Sequence, residues 1–331
     1  MANRCFVDSL AQVSCQKPFS DEWFDTPQVY PGDYARAIEP DVKGLISPAE
    51  ARRMSKVLRR AVCTSLAALR EAEIAVPDAI VTGTGMGCME NSEKFLADMA
   101  RYGESCLKTT LFMQSTHNTI SSLISILLKC HGYNTTYSHK GISFESALLD
   151  ARLQIKAGTA GNALVGSHDE VTPLMRRIMK STRPEYAFVS EASVAAVLTS
   201  TPSYRNICEI EEVRLFHRPE PEALTAALDR TADSLLLLGV NGNELNDRPY
   251  IDLLDILPFA PRALSYKRIF GDNYSSSALA FYAGARILEH GKIPEQMSWR
   301  NGRNFTGSPE RITILSHSDM TEWSLIRLGK V

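Results

Sequence analysis

Residues Asn134–Gly158 read NTTYSHKGISFESALLDARLQIKAG. Thr135 to Tyr137 is a short β-prone run that breaks at Ser-His-Lys-Gly, and a strongly periodic helix follows. Phe144, Leu148, Ala151 and Ile155 fall at helical spacing, and Ala147, Leu149 and Leu153 thicken that face, so the helix is predicted to be mostly buried. A polar turn between a strand and a buried helix is where many α/β enzymes keep a nucleophile. Ser138 and His139 are therefore the first side chains to question.

The surrounding sequence alternates in the same way. Short apolar strands are predicted at Cys5–Val13, Ala79–Thr82, Ala163–Gly166 and Ala192–Thr199. After Pro202 the alternation begins again, with strands at Glu209–Phe216 and Ser234–Val240 and a closing pair at Arg311–Leu315 and Ser324–Leu328. Ser47-Pro48-Ala49-Glu50 is a capping box with proline in the first turn, and it predicts a helix to about Glu73. Further helices are predicted from Gln114 to Lys129, from Pro221 to Ala232, and within Tyr274–His290. Strands alternating with helices specify α/β layers. The chain divides into halves at 1–202 and 203–331, packed as one compact unit, with no obvious sequence repeat between them.

Composition excludes several classes. The chain has 331 residues, 44% of them hydrophobic, and a net charge of -2 with the two signs interspersed. That balance speaks against nucleic acid or a membrane surface as partner. Apolar runs such as Ile120–Leu128 are too short to span a bilayer. Seven scattered cysteines read as reduced thiols in the cytoplasm, and Cys88 and Cys130 as inert buried ones. None has the spacing of structural zinc, so neither a metal nor a cofactor is implied. Gly83-Thr84-Gly85-Met86-Gly87 follows a strand, but Cys88 stands where a dinucleotide fingerprint needs its last glycine. A tight turn beneath a close neighbour is the reading adopted.

Arg52-Arg53-Met54-Ser55, the GTGMGCMENSEKF run, Phe112–Asn118, the opening stretch, GNALVGSHDE, Ser190–Ser193, GVNGNELND and Tyr266–Gly271 occur in an order and spacing that resembles the β-ketoacyl synthase family. The resemblance implies a thiolase-like αβαβα fold of two pseudo-duplicated halves. In that family a cysteine at the helix start accepts an acyl chain, and two histidines, one supported by a lysine, stabilise the enolate left by decarboxylation. On this sequence the cysteine falls on Ser138 and the histidines on Gly239 and Asp272, and only the lysine, Lys267, is retained. The family's late glycine loop falls on LSHSDMTEW, which contains no glycine. A serine without an aligned base is a poor nucleophile, and an aspartate would repel an enolate.

The resemblance is greatest to the degenerate, chain-length-factor ketosynthase-like subunits of aryl polyene and flexirubin pigment clusters. It implies that no catalytic set is intact. It also implies a tunnel lined by Phe112, Met113, His117, Asn118 and Phe144, and a dimer interface on Asn134, Thr135, Thr136 and Tyr137. The implied partner is a catalytic ketosynthase in a heterodimer, with acyl carrier protein reached through that partner. The alternatives are an active condensing or acyl-transfer enzyme using Ser138, and a priming decarboxylase, which the missing histidines disfavour. Read without the resemblance, Ser138 is a helix N-cap or turn residue. His117 is then a buried hydrogen-bonded histidine, Lys267 an ion-pair partner of Asp272 or Glu191, and His168-Asp169-Glu170 a loop at a strand end rather than a metal cluster.

Overall fold

The computed structural model describes residues 4–228, 235–300 and 308–331. The first half contains β1 (Phe6–Val13), β2 (Ala79–Gly83), β3 (Tyr133–Tyr137), β4 (Asn162–Asp169) and β5 (Ala192–Thr199). The second contains β6 (Cys208–His217), β7 (Leu235–Leu238), β8 (Arg262–Ser265), β9 (Arg311–Ser318) and β10 (Glu322–Gly329). The sheet order is β3-β2-β4-β5-β1-β6-β10-β9-β7-β8. Counted from the middle outwards, each half runs first, fifth, fourth, second, third strand. The two blocks are thus topological copies, joined by a short antiparallel ladder in which Phe6 pairs with Glu209 and Val7 with Cys208. The division expected at 202/203 lies in the connection between β5 and β6.

The helices are α1 (Pro48–Arg53), α2 (Lys56–Glu71), α3 (Met89–Tyr102), α4 (Thr109–Met113), α5 (Thr119–Leu128), α6 (Ser143–Ala157), α7 (Pro173–Thr182), α8 (Pro221–Leu228), α9 (Glu244–Asp255), α10 (Lys267–Phe270) and α11 (Ser276–His290). Strand periodicity sorts them into layers. Ala79, Val81, Ala163 and Val165 face a central core with α6 and α11, while Ile80 and Leu164 face an outer core with α2 and α5. In β7, Leu235 and Leu237 join the central core, and Leu236 and Leu238 join the outer core of α8 and α9. Helix α6 touches β6, and α11 touches β1 and β5, so both lie between the two blocks. The result is the five-layer αβαβα arrangement that the resemblance implies.

Several sequence expectations need correction. The helix expected from Pro48 to Glu73 is two helices, because Met54 and Ser55 are both extended and α2 begins at Lys56. Neither glycine nor proline marks that break. The helix expected from Gln114 begins at Thr119. In α6, Leu153 is 53% exposed and lies off the buried face. The expected ends of a helix at 229–232 and of a strand at Ser234 lie outside the described residues.

Strand β3 ends the sheet. Tyr133 donates its N–H toward Asp78, and Tyr137 accepts from Thr84 N–H, both on the β2 side. Backbone groups alternate sides along a strand, so the N–H and C=O groups of Asn134 and Thr136 point outward from the sheet.

Candidate functional site: a closed polar centre

The turn after β3 carries Ser138, which is exposed and has no hydrogen-bond partner among the described residues. It does not cap α6. The N-cap of α6 is Ile142, with no side-chain cap; Ser143, the first helical residue, instead braces the turn, its hydroxyl accepting from His139 N–H at 2.8 Å and donating to Thr84 O at 3.0 Å. The correction has a local cause: a 3-10 turn at Lys140–Ile142 intervenes, so α6 begins five residues after Ser138. His139 turns away to Ser146 Oγ, 2.9 Å from its Nδ1, so no base is aligned with the serine. Ser138, His139 and Lys140 open on a surface pocket of about 600 Å³, walled by Leu215–His217 and by the β9–β10 hairpin.

The glycine turn has an internal ligand. Asp169, fully buried at the end of β4, accepts from Thr84 Oγ1 at 2.9 Å, Gly85 N at 3.0 Å, Met86 N at 3.0 Å and Ser275 Oγ at 2.6 Å. Burial pushes its carboxyl above the ordinary range, and these bonds partly offset the shift. A Cβ on Gly83 would lie 2.6 Å from the Ser143 backbone, and one on Gly85 2.4 Å from Tyr274 Cβ. The glycines therefore serve close packing, and a carboxylate of the chain itself takes the turn's amides. His168, also buried, holds Ser193 Oγ at 2.7 Å through Nδ1, and burial pulls it down to about 3. Glu170 accepts from Glu90 N at 2.8 Å, and burial raises it to about 7. His168 and Asp169 thus belong to β4 itself rather than to a loop. Among the described residues no group of three or more His, Cys, Asp or Glu could hold a metal ion.

Gly239 and Asp272, on which the sequence resemblance sets two histidines, lie in a packed interior. Gly239 follows β7, and a Cβ there would lie 2.5 Å from the Tyr250 hydroxyl, 3.0 Å from that of Tyr266 and 3.3 Å from Lys267 Cε. A histidine side chain has no room at that position. Asp272 is wholly buried and ion-paired to Lys267 Nζ at 3.0 Å. It also accepts from Asn241 Nδ2 at 3.0 Å and Ala187 N at 3.0 Å. Burial lowers Lys267, but Asp272 outweighs it and holds the ammonium above its usual range. Lys267 also donates to Asn246 Oδ1 at 3.2 Å. In such a pair each charge satisfies the other.

Between these groups and Gly141 only about 20 Å³ of space is left, lined among others by Lys267, Tyr266, Ser276, Ser316 and His317. That is room for about one water. His317, which sequence reasoning did not single out, donates from Nε2 to Asn246 O at 2.9 Å. Its Nδ1 is buried without a hydrogen bond, and burial pulls the ring down to about 4. Glu145, also missed, sits in the first turn of α6 and accepts from the Ser277 and Ser324 hydroxyls, and burial raises its carboxyl. The signal for it was a glutamate on the predicted buried face.

The residues expected to line a tunnel do not stay together. Phe112, Met113, His117 and Asn118 are exposed around the α4–α5 turn, with Phe112 against Phe95. His117 is therefore not the buried histidine expected; it leans on Gly87 at the protein surface. Phe144 is instead in the central core against Phe281.

This architecture, two copied sheet blocks enclosing a helix layer, is the ketosynthase thiolase-like fold. Three solved structures share it along the whole chain. They are the ishigamide ketosynthase/chain length factor (TM-score 0.78, 16% identity, 100% of both chains) and a type II polyketide ketosynthase complex with its acyl-carrier protein, AntDE:AntF (0.76, 12%, 100% of both). The third is the ketosynthase ApeO in complex with its chain length factor ApeC from Xenorhabdus doucetiae (0.73, 15%, 99% of this chain and 98% of that one). Residues 26–183 match the family described as β-ketoacyl synthase, N-terminal domain. The chain thus matches that domain over residues 26–183 and has the ketosynthase fold along its whole length. No curated protein matches it in sequence.

Proposed function

We propose that this chain is a non-catalytic ketosynthase homologue acting as a chain-length-factor subunit. It pairs with an active ketosynthase in type II polyketide, aryl-polyene-like synthesis in the cytoplasm. The observation that carries this reading is the filled centre. One expected histidine position is a glycine pressed against two tyrosine hydroxyls, the other is an aspartate locked to Lys267, and the space left beside Tyr266 and Lys267 is about 20 Å³. Chemistry on a thioester needs an aligned base and a vacant oxyanion site, and this centre offers neither. The outward backbone groups of Asn134 and Thr136 support pairing through β3. The solved neighbours, which include ketosynthase–chain length factor pairs, support a ketosynthase as the partner. No helix among the described residues is long and apolar enough to cross a membrane.

The test is co-expression with a ketosynthase that retains its cysteine and both histidines. The complex is then sized, and each chain is weighed after incubation with an acyl-carrier-protein thioester. A 1:1 complex with acyl mass on the partner alone is the expected result. Acyl mass on this chain would overturn the reading and return attention to Ser138.

A further inference from the structure

We propose that Arg183 is an internal plug: its contact with Asp319 separates the polar space around Lys267 from the surface pockets on either side. Three cavities meet at this pair. Arg183 lines both the residual space of about 20 Å³ and a surface pocket of about 290 Å³ beside Tyr186 and Val189. Ser318 and Asp319 line both that same residual space and the pocket of about 600 Å³ holding Ser138. The lining shared between these cavities is Arg183 with Tyr186 on one side and the hairpin tip, Ser318 and Asp319, on the other.

The plug is held from several directions. Arg183 Nη1 is ion-paired to Asp319 and lies 3.2 Å from Glu185. Its Nη2 donates to Tyr274 Oη at 3.1 Å, and its guanidinium carbon stands 5.2 Å and 5.8 Å from the Tyr274 and Tyr186 ring centroids. Only 10% of the arginine side chain is exposed, against 35% of the aspartate's. The hairpin is the movable side. Asp319 and Met320 both have positive φ, 55° and 60°, a conformation that costs a non-glycine residue about 1 kcal/mol. Beyond the flanking strands, Trp323 Nε1 anchors the tip by donating to Met320 O at 3.1 Å. When the Arg183–Asp319 contact opens, the inner space joins its neighbours. Lys267, Ser276 and Ser316 then line a cleft open to solvent. The plug is a property of the isolated chain and does not depend on the partner proposed above.

A reporter thiol tests it. Ser276 lines the sealed space and is 7% exposed, and the six native cysteines whose burial is described are all buried. In Ser276→Cys the added thiol is expected to react slowly with an aromatic disulfide reagent, after subtraction of the parent protein's rate. Adding Arg183→Ala should speed it about tenfold or more, as expected when a local opening replaces a closed contact. Asp319→Asn removes the ion pair without excising a buried side chain, and it should give a smaller acceleration in the same direction. Fast labelling with Arg183 and Asp319 intact, or an unchanged rate in the folded Asp319→Asn protein, would overturn the plug.

Discussion

At the scale of single residues, what stands beside a position matters more than its identity. Gly239 was visible as a glycine where the resemblance sets a histidine, but its reason was not. The tyrosines that crowd it lie 11 and 27 positions along the chain, at Tyr250 and Tyr266. Gly239→Ala should therefore destabilise the protein by about 1–3 kcal/mol through overpacking, read in denaturant melts, and Gly239→His should do worse. Ser138→Ala should leave both stability and the activity of the partnered complex unchanged; loss of pathway activity with the complex intact would sink the non-catalytic reading. Glu170 gives a pH signature. Its unfolded carboxyl titrates near the ordinary glutamate value, while the folded one titrates at about 7. As pH rises through that window the unfolded state loses its proton first, so stability falls by up to about 3 kcal/mol and then levels off. His168 and His317, held neutral by burial, act in the opposite sense: their unfolded rings take up protons as pH falls below about 6.5, and stability is lost there. The clean measurement is a difference: the melting temperature of Glu170→Gln minus that of the parent should grow from pH 5 to pH 8. A flat difference would count against a raised Glu170.

At the scale of elements, the glycine turn was readable in kind. Its spacing excluded a dinucleotide loop, and its glycines signalled close approach. The carboxylate that fills it comes from β4 about eighty residues later, which no local pattern reveals. Asp169→Ala leaves the Gly85 and Met86 N–H groups buried without an acceptor, so it should cost about 3 kcal/mol or more and loosen the start of α3. The break between α1 and α2 was illegible because Met54 and Ser55 carry no breaker. Helix α9 was overlooked because Pro249 lies within it, and β8 because four residues, RALS, make a weak strand signal. Strand β3 was found, and its exposed edge allows a sharp test. Asn134→Pro deletes an outward N–H that no neighbour in the sheet uses, at the expense of one side-chain bond to Ser121 O. It should abolish the ketosynthase complex while lowering the melting temperature by only about 3 °C.

At the scale of the molecule, the repeat was legible in the order of motifs and in the restart after Pro202, not in any shared residues. Each half reaches the same strand order through connections of very different length, as β1 to β2 against β6 to β7 shows, so sequence identity between the halves is unnecessary. The contact between Arg183 and Asp319 spans both halves, which is why reading either half alone misses the closure of the centre. The two ends of the long sheet also differ. At β8, Ala263 N–H donates to Arg300 O and Ala263 O accepts from Trp299 N–H, each at 3.0 Å, so a returning segment occupies that margin. At β3 the corresponding groups of Asn134 and Thr136 are bare. A sheet with one bare margin has a valence of one: a single pairing event consumes it, and neither partner retains a second hook. On the pairing proposed above, association through β3 would terminate at two chains, and the long sheet would not grow into a fibre.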